Sequence, residues 1–160
     1  MRLFKSFKYA FRGIVYCINN ERNMRIHTVA ALYVFVFSLF FEMSRTSYAA
    51  VSLAVAMVMA AELFNTVAEE LCDMSAASFN PGVRIVKDMA AGAVLVCAVF
   101  AVAVGICVFW QPAAFLQIFR FFTSKPLMLL ALAVSLVISI VFIVLGPTGI
   151  RDRIRRKREE

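Results

Sequence analysis

Hydrophobic and polar positions along this chain fall into two patterns. Between residues 3 and 18 the apolar positions recur with a helical period. Leu3, Phe7, Ala10, Ile14 and Ile18 share one face, with Phe4, Phe11 and Val15 beside them, while Lys5, Lys8 and Arg12 gather opposite. An aromatic apolar face backed by cations predicts an amphipathic helix lying in a bilayer interface. Downstream the pattern changes to long apolar runs. TVAALYVFVFSLFF centres a first span at roughly 27–43, and SYAAVSLAVAMVMAA opens a second at roughly 46–68. AAGAVLVCAVFAVAVGICVFW predicts a third at 87–110, and PLMLLALAVSLVISIVFIVLG a fourth at 126–146. Each is near the ~20 residues that a helix needs to cross hydrocarbon. EMSRTS leaves room only for a tight turn, so the first two spans form a helical hairpin. SAASFNPGV, broken by Pro81-Gly82, reads as a loop, QPAAFLQIFRFFTSK as a link and PTGIRDRIRRKREE as a charged tail. The predicted fold class is all-α integral membrane.

Composition agrees. The chain is 62% hydrophobic with only 17% charged residues, and its mean hydropathy is +0.84; soluble domains are less apolar and more charged. The net charge of +7 could suggest nucleic acid, but the basic residues lie beside the apolar segments. They are read as topology signals and contacts to anionic headgroups, with no nucleic-acid partner. With the N-terminus inside, the inner segments carry 14 Lys and Arg and the outer turns only Arg45, Arg120 and Lys125. That bias, with four spans, places both ends in the cytoplasm. Cys17, Cys72, Cys97 and Cys107 form no CxxC pair and read as small hydrophobes. Charges every three or four positions in MRLFKSFKYAFRGIVYCINN argue against a cleavable signal.

Acidic residues then change the picture. At the end of the second span, AELFNTVAEELCDM introduces Glu62, Asn65, Glu69, Glu70 and Asp73 without breaking the helical pattern. At about 100° per residue, Glu69 and Asp73 each lie about 20° from Glu62, and Asn65 about 60° away. Glu70 points about 80° off and reads as a solvated charge. Three carboxylates on one face need positive charge nearby. A divalent cation could supply it, or Lys87 and Arg side chains of neighbouring helices; structural ion pairs at a helix end are the bland alternative. All-oxygen ligands favour magnesium over zinc. Two further polar clusters share the cytoplasmic side, NNERNMRIH at 19–27 and RIVKDMAAGAV at 84–94. Lys87 and Asp88 open the third span, where free backbone N–H groups favour anions, although Lys87 could be only a topology anchor. His27 reads as an interface residue. Neither a Walker A motif nor a kinase Gly-rich loop occurs.

SFKYAFRGI, ERNMRIH, AELFNTVAEELCD and VKDMAAGAV together resemble the small membrane lipid kinases of bacteria, the prokaryotic diacylglycerol kinase and undecaprenol kinase family. The specific marks are ExxNxxxExxxD, the Lys-Asp pair eighteen residues after its second Glu, and the eight-residue step from Gly13 to Glu21. The resemblance covers residues 3–110 and implies roles. Glu62 matches the catalytic base, Glu21 and Glu69 the magnesium-binding acids, Asn65 the supporting asparagine, and Asp73 the acid one turn beyond. Lys87 and Asp88 match a nucleotide-contacting pair, and Ser78, Phe79 and Asn80 fall by spacing on the ATP-touching loop. Arg2 and Tyr9 would add nucleotide contacts from the surface helix, and lipid would approach near Met24, Glu62 and Ala91. Such enzymes are homotrimers of three-span subunits with shared sites. The implied organisation is a lipid kinase domain at 1–110 plus an additional transmembrane helix and basic tail at 111–160. The implied reaction is ATP- and Mg2+-dependent phosphorylation of a membrane lipid alcohol. ERNMRIH resembles the undecaprenol kinases of Gram-positive bacteria more than diacylglycerol kinases. The sequence departs from the family at Ala68, where a bulkier residue is usual, and in residues 111–160, which put the trimeric state in question.

Two other classes compete. A small transporter would want its acids at the bilayer midplane, whereas these cluster at one end. A scaffold with basic ends would not need the Lys87-Asp88 pair. The expected location is the bacterial plasma membrane, multi-pass, with a cytoplasmic active site.

Overall fold

A computed structural model describes residues 2–75 and 81–159, with side chains for residues 3–75 and 81–153. Among these residues all regular structure is helical. The six helices are α1 (Arg2–Asn20), α2 (Arg22–Ser38), α3 (Arg45–Ser75), α4 (Pro81–Phe109), α5 (Pro112–Ser124) and α6 (Pro126–Glu159). Three of them are long and apolar enough to cross a membrane: Arg45–Ser75, Pro81–Phe109 and, within α6, Pro126–Arg153.

The helix at the expected first span, 27–43, has other bounds. It starts earlier, at Arg22, and stops at Ser38 after 17 residues. At ~1.5 Å per residue such a helix is about 26 Å long, short of a ~30 Å hydrocarbon core. Residues 39–43 leave the helix through tight turns, Phe40 N–H donating to Phe37 O at 3.0 Å and Phe41 N–H to Ser38 O at 3.1 Å. The link at 111–125 is itself a helix over Pro112–Ser124. Pro112 opens α5 and Pro126 opens α6, because a first-turn proline has a preset φ and forfeits no intrahelical bond. Ser44 caps α3, its hydroxyl accepting the Ser47 N–H at 3.0 Å.

The chain divides into two compact units, Met1–Val29 with Phe122–Glu160, and Ala30–Phe121. In the second, α3 packs along α4. Opposite the acidic end, the chain reversal after α2 is clasped to the α4–α5 junction. Phe41 meets Phe109 and Phe115 edge-on, with centroids 4.9 and 5.4 Å away. Gln111 pairs with the Glu42 backbone in both directions, its Oε1 accepting the N–H and its Nε2 donating to the carbonyl, each at 3.1 Å. Gln111→Ala is expected to lower stability by on the order of 1 kcal/mol, measured as a lower midpoint of thermal unfolding in mild detergent. An unchanged midpoint would mean that water replaces both bonds at no cost.

In the first unit, α1 is helical as its period predicts, and Leu3, Phe4, Phe7 and Phe11 are all exposed. α1 touches α6, and α6 is broken at Gly146, where φ is +65° and ψ 170°. No residue of α4 is buried, and α6 carries a row of exposed apolar side chains, Leu127, Leu130, Val134, Val137 and Val141 among them. Such faces suit lipid rather than water. All four cysteines are free thiols.

Candidate active site

The polar stripe forms because α3 continues past its apolar run. Ala, Met, Leu and Glu are strong helix formers, so AAELFNTVAEELCDMS has no reason to stop where charge begins. Glu62 is only 1% exposed, and Asn65 and Thr66 are each 5% exposed. The Thr66 hydroxyl donates to the Glu62 carbonyl one turn back, at 3.0 Å. Asn65 Nδ2 donates to Glu69 Oε1 at 2.9 Å. Asn65 Oδ1 is buried and has no hydrogen-bond partner among the described residues. A buried, unmatched amide oxygen is costly in a dry site, so this acceptor is available to a further donor.

One turn on, Lys87 of α4 donates to Asp73 at 2.5 Å. The Lys87 side chain is half-buried and that of Asp73 exposed. Of the ways to balance the acids, the structure therefore shows an ammonium beside Asp73 and an amide beside Glu69. Among the described residues no group of three His, Cys, Asp or Glu is close enough to hold a metal ion. Magnesium bound together with nucleotide needs fewer, since one or two carboxylates are completed by phosphate oxygens and water.

Arg84 and Asp88 face each other one turn apart, with Nε and Oδ2 at 3.9 Å and both side chains exposed. By sequence Arg84 is one of the inner topology charges, and its i,i+4 spacing to Asp88 is the signal for the pair. Between the last turns of α3 and the first of α4 lies an open cleft of about 430 Å³, lined by Ala68, Leu71, Cys72, Val83 and Val86. Ala68, where the sequence departs from the family resemblance, forms part of the cleft wall.

Other predicted residues are placed as follows. Glu21 stands between α1 and α2, its N–H bonded to Cys17 O at 2.7 Å and its carbonyl accepting the Arg25 N–H at 3.3 Å. Met24 is fully buried, whereas Tyr9 is 61% exposed. Ala91 is exposed on α4, one turn beyond Lys87. Glu21, Met24 and Tyr9 belong to the first compact unit, and Glu62, Asn65, Glu69, Asp73, Lys87, Asp88 and Ala91 to the second. Ser78, Phe79 and Asn80 lie outside the described residues, as does the side chain of Arg2.

The profile of the prokaryotic diacylglycerol kinase family matches residues 8–109. The chain belongs to that family. The match runs from within α1 to the end of α4, so the whole acidic stripe and the Lys87-Asp88 pair lie inside it. This membrane lipid kinase is similar to a diacylglycerol kinase of Synechocystis sp., with 36% identity over 117 residues, covering 72% of this chain and 67% of the relative. It is also similar to an undecaprenol kinase of Bacillus subtilis, with 35% identity over 108 residues, covering 68% of this chain and 88% of the relative. Helices α5 and α6 lie beyond the family match.

Proposed function

We propose that this lipid kinase transfers the terminal phosphoryl group of ATP to the hydroxyl of undecaprenol, with Mg2+, at the cytoplasmic face of a bacterial plasma membrane. The observation that carries the reading is the buried carboxyl of Glu62. It stands on the helix whose next turns hold an oriented glutamate and a lysine-paired aspartate. An ionisable group kept out of water beside a membrane span is expensive unless it works.

Glu62 takes the lipid hydroxyl's proton as the lipid oxygen bonds to the γ-phosphorus and the bond from that phosphorus to the ADP oxygen breaks. Phosphoryl transfer asks chiefly for positioning and neutralisation of charge. Asn65 fixes the Glu69 carboxylate, and its unmatched Oδ1 supports a cation-binding role for this turn. Glu21 and Glu69 would hold Mg2+, which neutralises phosphate charge when bound. Lys87 adds a second positive charge, oriented by Asp73. Asp88, the 78–80 loop, Arg2 and Tyr9 complete the nucleotide contacts. The alkyl part of the lipid passes Met24 and Ala91. Residues 1–110 form the catalytic part and 111–160 an added helix and tail. In this reading α1 lies in the interface, and α2, despite its length, is the first of four crossings. Both termini are cytoplasmic, and the enzyme works as a homo-oligomer of the trimeric kind.

ERNMRIH supports undecaprenol as acceptor, and the name of the Bacillus subtilis relative agrees. The name of the Synechocystis relative favours diacylglycerol, the second reading. Purified protein in mixed micelles, given labelled ATP, Mg2+ and each lipid separately, is expected to label undecaprenol faster. Faster labelling of diacylglycerol keeps the chemistry and changes the acceptor. Label on neither, from folded protein, overturns the reading.

A further inference from the structure

Arg25 sits one helical turn after Glu21 and is only 7% exposed. Its charge is met by three backbone carbonyls. Nη1 donates to Ile18 O at 3.2 Å and to Asn19 O at 3.0 Å, and Nε donates to Ile143 O at 3.0 Å. Each carbonyl is available for a specific reason. Ile18 and Asn19 lie in the last turn of α1, where carbonyls lack helical partners and the helix dipole is negative. Ile143 lies four residues before Pro147, which has no N–H to return to it. Gly146 completes the arrangement. Its φ of +65° and ψ of 170° lie in a region that is essentially glycine-only. A Cβ at that residue would stand 2.9 Å from Arg25 Nη1. The break in α6 thus frees one carbonyl for the arginine and leaves room for its guanidinium.

All of these groups belong to one compact unit, Met1–Val29 with Phe122–Glu160. The family match ends at residue 109, so the Ile143–Pro147 corner is a feature of the added helix. It reaches back to the segment that carries Glu21, whose carbonyl receives the Arg25 N–H.

We infer that the C-terminal helix is a working part of this kinase, because its Gly146-Pro147 break holds Arg25 as a positioning residue for Glu21. The inference rests on the reading of Glu21 as an acid for the magnesium nucleotide. It gives the helix added after residue 110 a part in the site that residues 1–110 carry. Arg25 contacts no substrate in this scheme. It fixes the α1–α2 corner, and so the direction in which Glu21 leaves the backbone.

The test uses the full chain. Initial rates are measured against Mg2+ concentration at saturating ATP and lipid, and separately against lipid concentration, for Gly146→Ala, Pro147→Ala, Arg25→Ala and Arg25→Lys. Folding is checked by circular dichroism and gel filtration in detergent. Direct outer partners of metal-binding groups are worth about 10–100-fold in metal affinity, and Arg25 acts one step further out, through the backbone corner that carries Glu21. Gly146→Ala and Arg25→Ala should therefore raise the half-maximal Mg2+ concentration by about tenfold and leave the lipid KM unchanged. Pro147→Ala offers Ile143 O a competing N–H and should shift it less. Arg25→Lys keeps one donor of the fork and should fall between wild type and Arg25→Ala. A merely structural role would lower the amount of active enzyme without moving the Mg2+ midpoint. An unmoved midpoint in folded Arg25→Lys and Pro147→Ala overturns the inference, even if the harsher variants do not fold. Glu21→Gln separates the two layers. If it keeps the wild-type Mg2+ dependence, the reading of Glu21 fails. If it abolishes activity while the Arg25 and Gly146 variants behave as wild type, only the positioning role fails.

Discussion

Glu62→Gln is expected to abolish lipid phosphorylation while ATP binding survives. The side chain is 1% exposed, and glutamine fills the same volume, so the packing of α3 is kept. What is lost is the ability to accept a proton. A positioned general base contributes about 10²–10⁴-fold, and turnover should fall by at least the lower figure. The affinity for nucleotide, read by calorimetry or a fluorescent ATP analogue, should stay within about threefold, because the proposed function assigns the phosphate contacts to Lys87 and not to Glu62. The protein should be no less stable in detergent, since a neutral amide is easier to bury than a carboxylate. Turnover near the wild-type rate would remove Glu62 from the chemistry and leave it a structural group.

Lys87→Met should lower kcat/KM for ATP by about 10²-fold, the usual cost of removing one group that stabilises developing charge. The ammonium is oriented by Asp73 at 2.5 Å, and methionine retains the length of the stem without the charge. Asp73→Asn should cost less, about tenfold at most, because the ammonium remains and only its anchor weakens. The order of the two is the decisive readout. If the pair were only a surface ion bridge, its loss would cost at most about 1 kcal/mol of stability and leave catalysis alone. An Asp73→Asn enzyme slower than Lys87→Met would assign the chemistry to the acid and overturn the role given to the lysine.

How far this site was legible in the sequence depends on the distance over which each interaction acts. The stripe Glu62, Asn65, Glu69, Asp73 was legible because a helix repeats every ~3.6 residues, and its register needs no knowledge of a partner. The Asn65–Glu69 bond follows from that register. The partner of Asp73 does not. A divalent cation, Lys87 and Arg side chains of neighbouring helices were all candidates, and only the packing of α4 against α3 brings Lys87 to Asp73. The end of the first hydrophobic helix was not legible because apolar residues at 39–41 extend the run, while the backbone there has already turned and is held by Phe109, Phe115 and Gln111. Hydropathy reports affinity for lipid, not where a helix ends.

By itself, then, the sequence determined the all-helical membrane character, the acidic face of α3 and membership of a lipid kinase family, since these rest on composition, local period and short motifs. Tertiary structure alone decided which cation meets Asp73, where α2 ends, and that Arg25 meets Ile143, 118 residues away along the chain. Nothing local marks that last contact. Pro147 announces a free carbonyl and Gly146 a permissive corner, but the donor that fills them is chosen by how the helices come together.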